Sequence, residues 1–223
     1  MLQDIFVLFA KRPEFFLEQI LQHLQISGIS ILLATAIGLF LGIFISEHKK
    51  TSGFVIGLTS VIYTIPSIAM LGFLIPFSGI GDTTAIIALT IYALLPMVRG
   101  TYTGITSIDP AVIEAARGMG STDFQILYRI KMPLAMPVII SALRNMVVMT
   151  IALTGIAAFI GAGGLGVAIY RGITTNNTAM TIAGSILVAV LALLLDFAIG
   201  RIEKHLLIKW KLQPQNKKRM ERK

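Results

Sequence analysis

Charge is missing from this sequence in long blocks, and that pattern restricts the possible folds more than any motif does. No Asp, Glu, Lys or Arg lies between Glu18 and Glu47, between Lys50 and Asp82, between Arg144 and Arg171, or between Arg171 and Asp196. Each block exceeds the roughly 20 residues needed to cross a hydrocarbon core as a helix. A backbone in lipid must satisfy its own hydrogen bonds, so blocks of this kind predict a bundle of membrane helices.

Composition agrees. Hydrophobic residues make up 55% of the chain and charged residues only 13%, with a mean hydropathy of +0.82. That is too little polar material to cover a soluble domain. The net charge of +8 suggests nucleic acid until its distribution is considered: nine of the nineteen Lys and Arg follow Gly200. A basic cluster directly after a span marks the cytoplasmic side and meets anionic lipid, so no nucleic-acid partner is expected. With no cysteine there is no disulfide or thiolate metal site. His23, His48 and His205 are placed near ends or rims, too dispersed for a metal.

Taken in order, residues 1–18 read as an N-terminal leader, extracellular or interfacial, and 19–207 as a transmembrane domain of five spans. Residues 208–223 read as a basic cytoplasmic tail. Span 1, about 22–46, carries a face of small residues including Ser27, Gly28, Ser30, Ala34, Gly38 and Gly42, which would allow close helix approach. Span 2, about 54–75, has Pro66 in mid-helix, where a bend is expected. A tight turn over 76–82 leads to span 3, about 83–105, with Pro96 inside it and Arg99 towards its inner end. Span 4 covers about 137–159, where Arg144 is expected to snorkel to the inner headgroups or anchor the polar loop. Span 5 covers about 179–200, with Asp196 a partner for Arg201 or Arg144, or else solvent-exposed. No ionisable residue is expected at mid-membrane. Five spans and an internal basic tail put the N-terminus outside and the C-terminus inside.

Between spans 3 and 4 lies a polar stretch, about 106–133, whose local rules define a shape. Asp109 caps a helix with Pro110 at its first position, where a missing N–H is harmless. Ala111, Ala115 and Ala116 favour the helix, and Gly118 and Gly120 offer a stop. Thr122 and Gln125 match a capping box for a second short helix, which Pro133 and Pro137 are expected to end at the membrane. Small residues at 115, 116 and 118 leave a thin face that a groove can bury, with Glu114 and Arg117 free to pair at its edge. Spacing alone leaves an ordinary inter-span loop as open as a docking element.

The run Glu114-Ala115-Ala116-Arg117-Gly118-Met119-Gly120, with Ile130, Pro133 and Pro137 after it, resembles the Glu-Ala-Ala loop of bacterial ABC importer permeases. The external pattern Gly161-Ala162-Gly163-Gly164-Leu165-Gly166 is similar to that of compact five-span importers for methionine and for quaternary-amine osmoprotectants. The tracts Tyr63-Thr64-Ile65-Pro66-Ser67-Ile68-Ala69 and Leu94-Leu95-Pro96-Met97-Val98-Arg99-Gly100-Thr101-Tyr102 resemble the osmoprotectant group. What the resemblance implies is an all-α, five-span type I permease fold whose helix near 110–118 couples to an ATPase. Coupling would rest on Asp109, Pro110, Glu114, Ala115, Ala116, Arg117, Gly118, Gly120, Pro133 and Pro137. Implied partners are two ATPase subunits carrying ATP-Mg, a second permease copy or close paralogue, and a separate extracellular solute-binding protein, all at a bacterial cell membrane. This chain itself is expected to bind no cofactor and catalyse nothing.

For the translocation path, a quaternary amine offers charge without N–H donors, so aromatic faces suit it. Tyr63 beside the Pro66 bend, with Thr64 and Ser67, is the first candidate group. Asn145, Thr150 and Thr154 in span 4 are others, equally readable as helix–helix contacts. A methionine-type permease, an ATP-independent channel or carrier, and a membrane enzyme stand as alternatives.

Overall fold

The computed structural model describes residues 2–209, so from residue 210 onward the expected basic tail lies outside the described residues. Every element among the described residues is helical; besides short π and 3-10 turns at Leu127–Lys131 and Ala157–Ile160, they are α1 (Leu2–Lys11), α2 (Pro13–Glu47), α3 (Lys49–Thr64), α4 (Ser67–Ser78), α5 (Asp82–Thr106), α6 (Pro110–Gly118), α7 (Asp123–Ile126), α8 (Met132–Thr154), α9 (Gly166–Thr174) and α10 (Thr178–Lys209). Among the described residues, α2, α5, the continuous run Asp123–Thr154 and α10 are each long and apolar enough to cross a bilayer. The bent pair α3–α4 makes a fifth span only if its halves are taken together.

That pair corrects the expectation of one bent helix over 54–75. Pro66 disfavours helical backbone at the residue before it, and Ile65 is extended at φ −66°, ψ 129°. The chain therefore breaks, and the two halves meet at 99°. The turn expected over 76–82 shrinks to Gly79, Ile80 and Gly81, because α4 runs through Pro76 to Ser78. The expected leader is divided too. Pro13 opens α2, so residues 13–18 belong to the first long helix, and α1 lies against α10 and the start of α2. Ile5 and Phe16 are buried there with Ala168, Met180 and Ala183.

The bundle is built on α5, which packs most extensively against α2 and α8. Along α2 the buried residues Ser27, Ser30, Ala34, Gly38 and Gly42 recur every three or four positions, forming one stripe. A Cβ added at Gly38 would come within 2.7 Å of the Met97 side chain, and one at Gly42 within 2.5 Å of Thr101 Cβ. The absence of side chains at these two positions sets the distance between the helices. In lipid the hydrophobic effect does not drive helices together, so such packing carries the association.

Two apolar clusters result. One joins Ile26, Met70, Leu71, Ala85, Leu89 and Ile160 towards the end of the bundle bearing α9. The other joins Ala34, Met97, Ile105, Ala135, Met146 and Ile151 towards the end bearing α6. Arg144, midway along α8, does not run to a rim: its guanidinium pairs with both carboxylate oxygens of Asp196 on α10, with Glu203 3.5 Å away. The two charges therefore meet between α8 and α10, with Asp196 taking the Arg144 partner that was one of the options considered for it. Arg201, the other partner considered for Asp196, stacks on Phe197 instead at 4.5 Å.

Candidate coupling loop and translocation seam

The polar loop has the local shape its caps dictate. Asp109 accepts the Ala111 N–H at 2.9 Å, Pro110 occupies the first turn, and α6 runs to Gly118. Met119, Gly120 and Ser121 then return their N–H groups to the carbonyls of Ala115, Arg117 and Ala116. Gly120 sits at φ +84°, left-handed backbone that lets the chain reverse here. Thr122 and Gln125 make both bonds of the capping box, at 3.3 and 3.0 Å.

One face of α6 is tied down by Ala116, which is buried, while Glu114, Ala115, Arg117, Gly118 and Met119 face outward. Arg117 bridges the turn to Asp123 at 2.9 Å, with both side chains still largely exposed. Around Gly118 stand exposed apolar side chains that the sequence reading left unassigned. Met119 is 80% exposed, Phe124 74% and Tyr128 70%, and the last two rings stack at 6.2 Å. Their i, i+4 spacing in an otherwise polar loop was the available signal.

Pro133 and Pro137 do not end the second helix, contrary to expectation. From Asp123 the chain passes through a π-helical turn at Leu127–Lys131 directly into α8, with Pro133 in the first turn and Pro137 inside. The wide turn makes this possible. The Met132 N–H reaches back five residues to the Leu127 carbonyl, so the ladder is already shifted where Pro133 supplies no donor. At the same level Lys131 bonds Glu47, the last residue of α2, at 2.7 Å.

At the α3–α4 break the structure assembles part of the expected path group. Tyr63, 40% exposed, donates to Met149 Sδ at 3.1 Å and packs edge-on against Tyr92, with ring centroids 6.0 Å apart. Tyr92, buried on α5, was missed in the sequence; its hydroxyl bonds the Ile65 carbonyl that the break leaves without a helical partner. Thr64 and Pro66 are exposed beside it and Ser67 is half-buried, lining a small pocket with Leu71, Ala88, Tyr92 and Leu153. Asn145 is exposed on α8. Thr150 and Thr154 do not join the group. Both are buried and spend their hydroxyls on carbonyls one turn back in α8, at 2.8 Å each.

At the other end, the glycine loop is pressed onto α2 and α5. Gly163 N–H donates to Asp82 at 2.8 Å and Gly164 N–H to Gln22 Oε1 at 3.3 Å. Gly161 and Gly164 have positive φ, and a Cβ on Gly164 would strike His23. Gly166 lies tight against Gly155 in the same way. His23, expected at a rim, is fully buried, its Nε2–H donating to the Ile151 carbonyl at 3.0 Å.

This architecture has known relatives. The family described as binding-protein-dependent transport system inner membrane component matches residues 15–208. The chain belongs to that family. Among permeases of this kind, it is 41% identical to the glycine betaine/carnitine/choline transport system permease protein OpuCD of Bacillus subtilis, covering 92% of this chain and 90% of that protein. The carnitine transport permease protein OpuCD of Listeria monocytogenes is also 41% identical, over 85% of this chain and 86% of that one. In structure, the permease resembles a chain of the inward-facing MetNI methionine ABC transporter, with a TM-score of 0.80, 26% identity, and coverage of 86% and 96%. It is thus an all-α permease of the type I ABC importer fold, and a membrane transport protein.

Proposed function

We propose that this permease forms the membrane path of an ATP-driven importer for quaternary-amine osmoprotectants such as glycine betaine, carnitine and choline. The observation that carries the reading is 41% identity sustained over nine-tenths of the chain to a permease named for those three compounds. A methionine or other amino-acid importer is the weaker reading, since likeness to MetNI stands at 26%. ATP-Mg would act on two partner ATPase subunits. A second permease copy or close relative and a separate solute-binding protein would complete the complex, with the N-terminus outside and the C-terminus inside the cell membrane. The permease domain spans 19–207 together with the start of α2.

Geometry supports coupling through the polar loop. The surface around Gly118, rimmed by Met119, Phe124 and Tyr128, fits a cleft on the ATPase. Because α7, the π turn and α8 form one helical run, a push on α6 moves α8; the Lys131–Glu47 bond carries it to α2. ATP would then favour one access state by binding it better, with no catalytic group on this chain. Tyr63, Thr64, Pro66 and Ser67 are the path residues at the α3–α4 break, with Asn145 on the α8 face. The test is uptake by the complex reconstituted with its ATPase and solute-binding protein. Uptake of a quaternary amine is expected; ATP-dependent uptake of methionine alone would reject the substrate assignment.

A further inference from the structure

Along the contact between α3 and α5, polar groups form a line from the break towards the α6 end. Tyr63 meets Tyr92, Ser60 meets Arg99, and Ser52 meets Tyr102. Arg99 stands out among them. By helix rise it lies about 10 Å before Thr106, the last residue of α5, on the inner half of an apolar helix long enough to cross a bilayer. It is exposed on the protein surface, and among the described residues it pairs with no carboxylate. Its described hydrogen-bond partner is Ser60 Oγ at 3.1 Å, and Ser60 gives its own proton to the Ile56 carbonyl at 2.6 Å. An unneutralised guanidinium on a membrane-crossing helix is costly to leave in lipid, so such arginines face a wet cavity, an anion or a headgroup.

Spacing indicates which anion. Ser60 and Tyr63 are three residues apart on α3, about 4.5 Å along its axis, so the guanidinium and the Tyr63–Tyr92 pair lie about one helical turn apart. Side chains on a helix also lean towards its N-terminus, which tilts Arg99 towards Tyr92. A cation-binding aromatic face and an anion-binding fork at that separation match a small molecule holding a quaternary ammonium and a carboxylate a few bonds apart. Glycine betaine and carnitine have both groups. Choline has the ammonium and a hydroxyl.

We propose that Arg99, held by Ser60 beside the Tyr63–Tyr92 pair, binds the carboxylate of zwitterionic quaternary amines in the path and thereby separates them from choline. This rests on the osmoprotectant reading above. The guanidinium offers a planar fork to a carboxylate and repels a bare cation.

The experiment is ATP-dependent uptake of glycine betaine and of choline by the reconstituted complex carrying Arg99→Gln or Arg99→Lys. In R99Q, glycine betaine uptake should fall at least tenfold, while choline uptake and basal ATP hydrolysis stay within twofold or rise. R99K, which keeps the charge and loses the fork, should fall between R99Q and wild type for glycine betaine. If wild type moves glycine betaine alone, basal ATP hydrolysis is the reference. An unchanged betaine-to-choline ratio overturns the assignment, whether both rates hold or both fall, since a lipid-facing or purely structural arginine would act on them equally. A wild-type complex that moves neither compound overturns the osmoprotectant reading, and this proposal with it.

Discussion

At the scale of single residues, the glycines of α2 illustrate how differently one residue type can act. Gly28, Gly38 and Gly42 were all expected on the small-residue face, but of these the buried stripe of α2 includes only Gly38 and Gly42. Only the last two touch α5, while a Cβ at Gly28 would meet nothing within 4 Å. Gly42→Leu must displace Thr101 and the Val98 carbonyl, and overpacking of this kind costs about 1–3 kcal/mol. A lowered unfolding temperature in detergent is expected for Gly42→Leu, with Gly28→Leu close to wild type. Equal shifts in the two variants would show that the α2–α5 contact is not the limiting one. The same scale explains Tyr92. Nothing near it in the sequence marks it out, and only the extended Ile65 backbone gives its hydroxyl a carbonyl to hold.

Among the elements, α6 is the part whose shape local chemistry dictates most fully. Asp109, Pro110 and the Thr122–Gln125 box act within a few residues, so the helix bounds and caps could be derived before any contact was known. Its outward face is different in kind, because at Gly118 it packs against nothing among the described residues. Gly118 has open space where a Cβ would go. Gly118→Trp should therefore leave thermal stability within about 0.5 kcal/mol, as surface substitutions do, and abolish ATP-driven uptake by blocking close approach of the ATPase. Co-purification of the ATPase at wild-type level with full uptake would remove α6 from the coupling surface. For α3 and α4 local rules gave the position of the defect and not its size. Pro66 demands that a hydrogen bond be lost, but whether a helix kinks or breaks depends on what receives the freed groups, here Tyr92.

Across the whole molecule, what matters is continuity. The sequence reading ended the second short helix of the loop at Pro133 and Pro137. The structure instead carries the chain through a π turn into α8, with Lys131 tied to α2. Inserting Gly-Gly between Leu127 and Tyr128 should interrupt that run. ATP hydrolysis by the complex would persist and uptake would be lost; uptake at the wild-type rate would show that motion reaches the bundle by another route. Opposite charges on α8 and α10 meet at the same scale, where Arg144 and Asp196, separated by 52 residues, pair with each other between the two helices.

By itself the sequence determined the class, the number of apolar blocks and the caps of the polar loop, because these follow from charge placement and from interactions a few residues long. The family too was legible there, in the Glu114–Gly120 run. Tertiary structure alone decided that α3 and α4 separate at 99°, that Pro133 and Pro137 are absorbed into α8, that Arg99 meets Ser60, and that Tyr63 meets Tyr92. Each of these depends on which distant groups receive a freed carbonyl or a buried charge, and nothing within one helix specifies those partners.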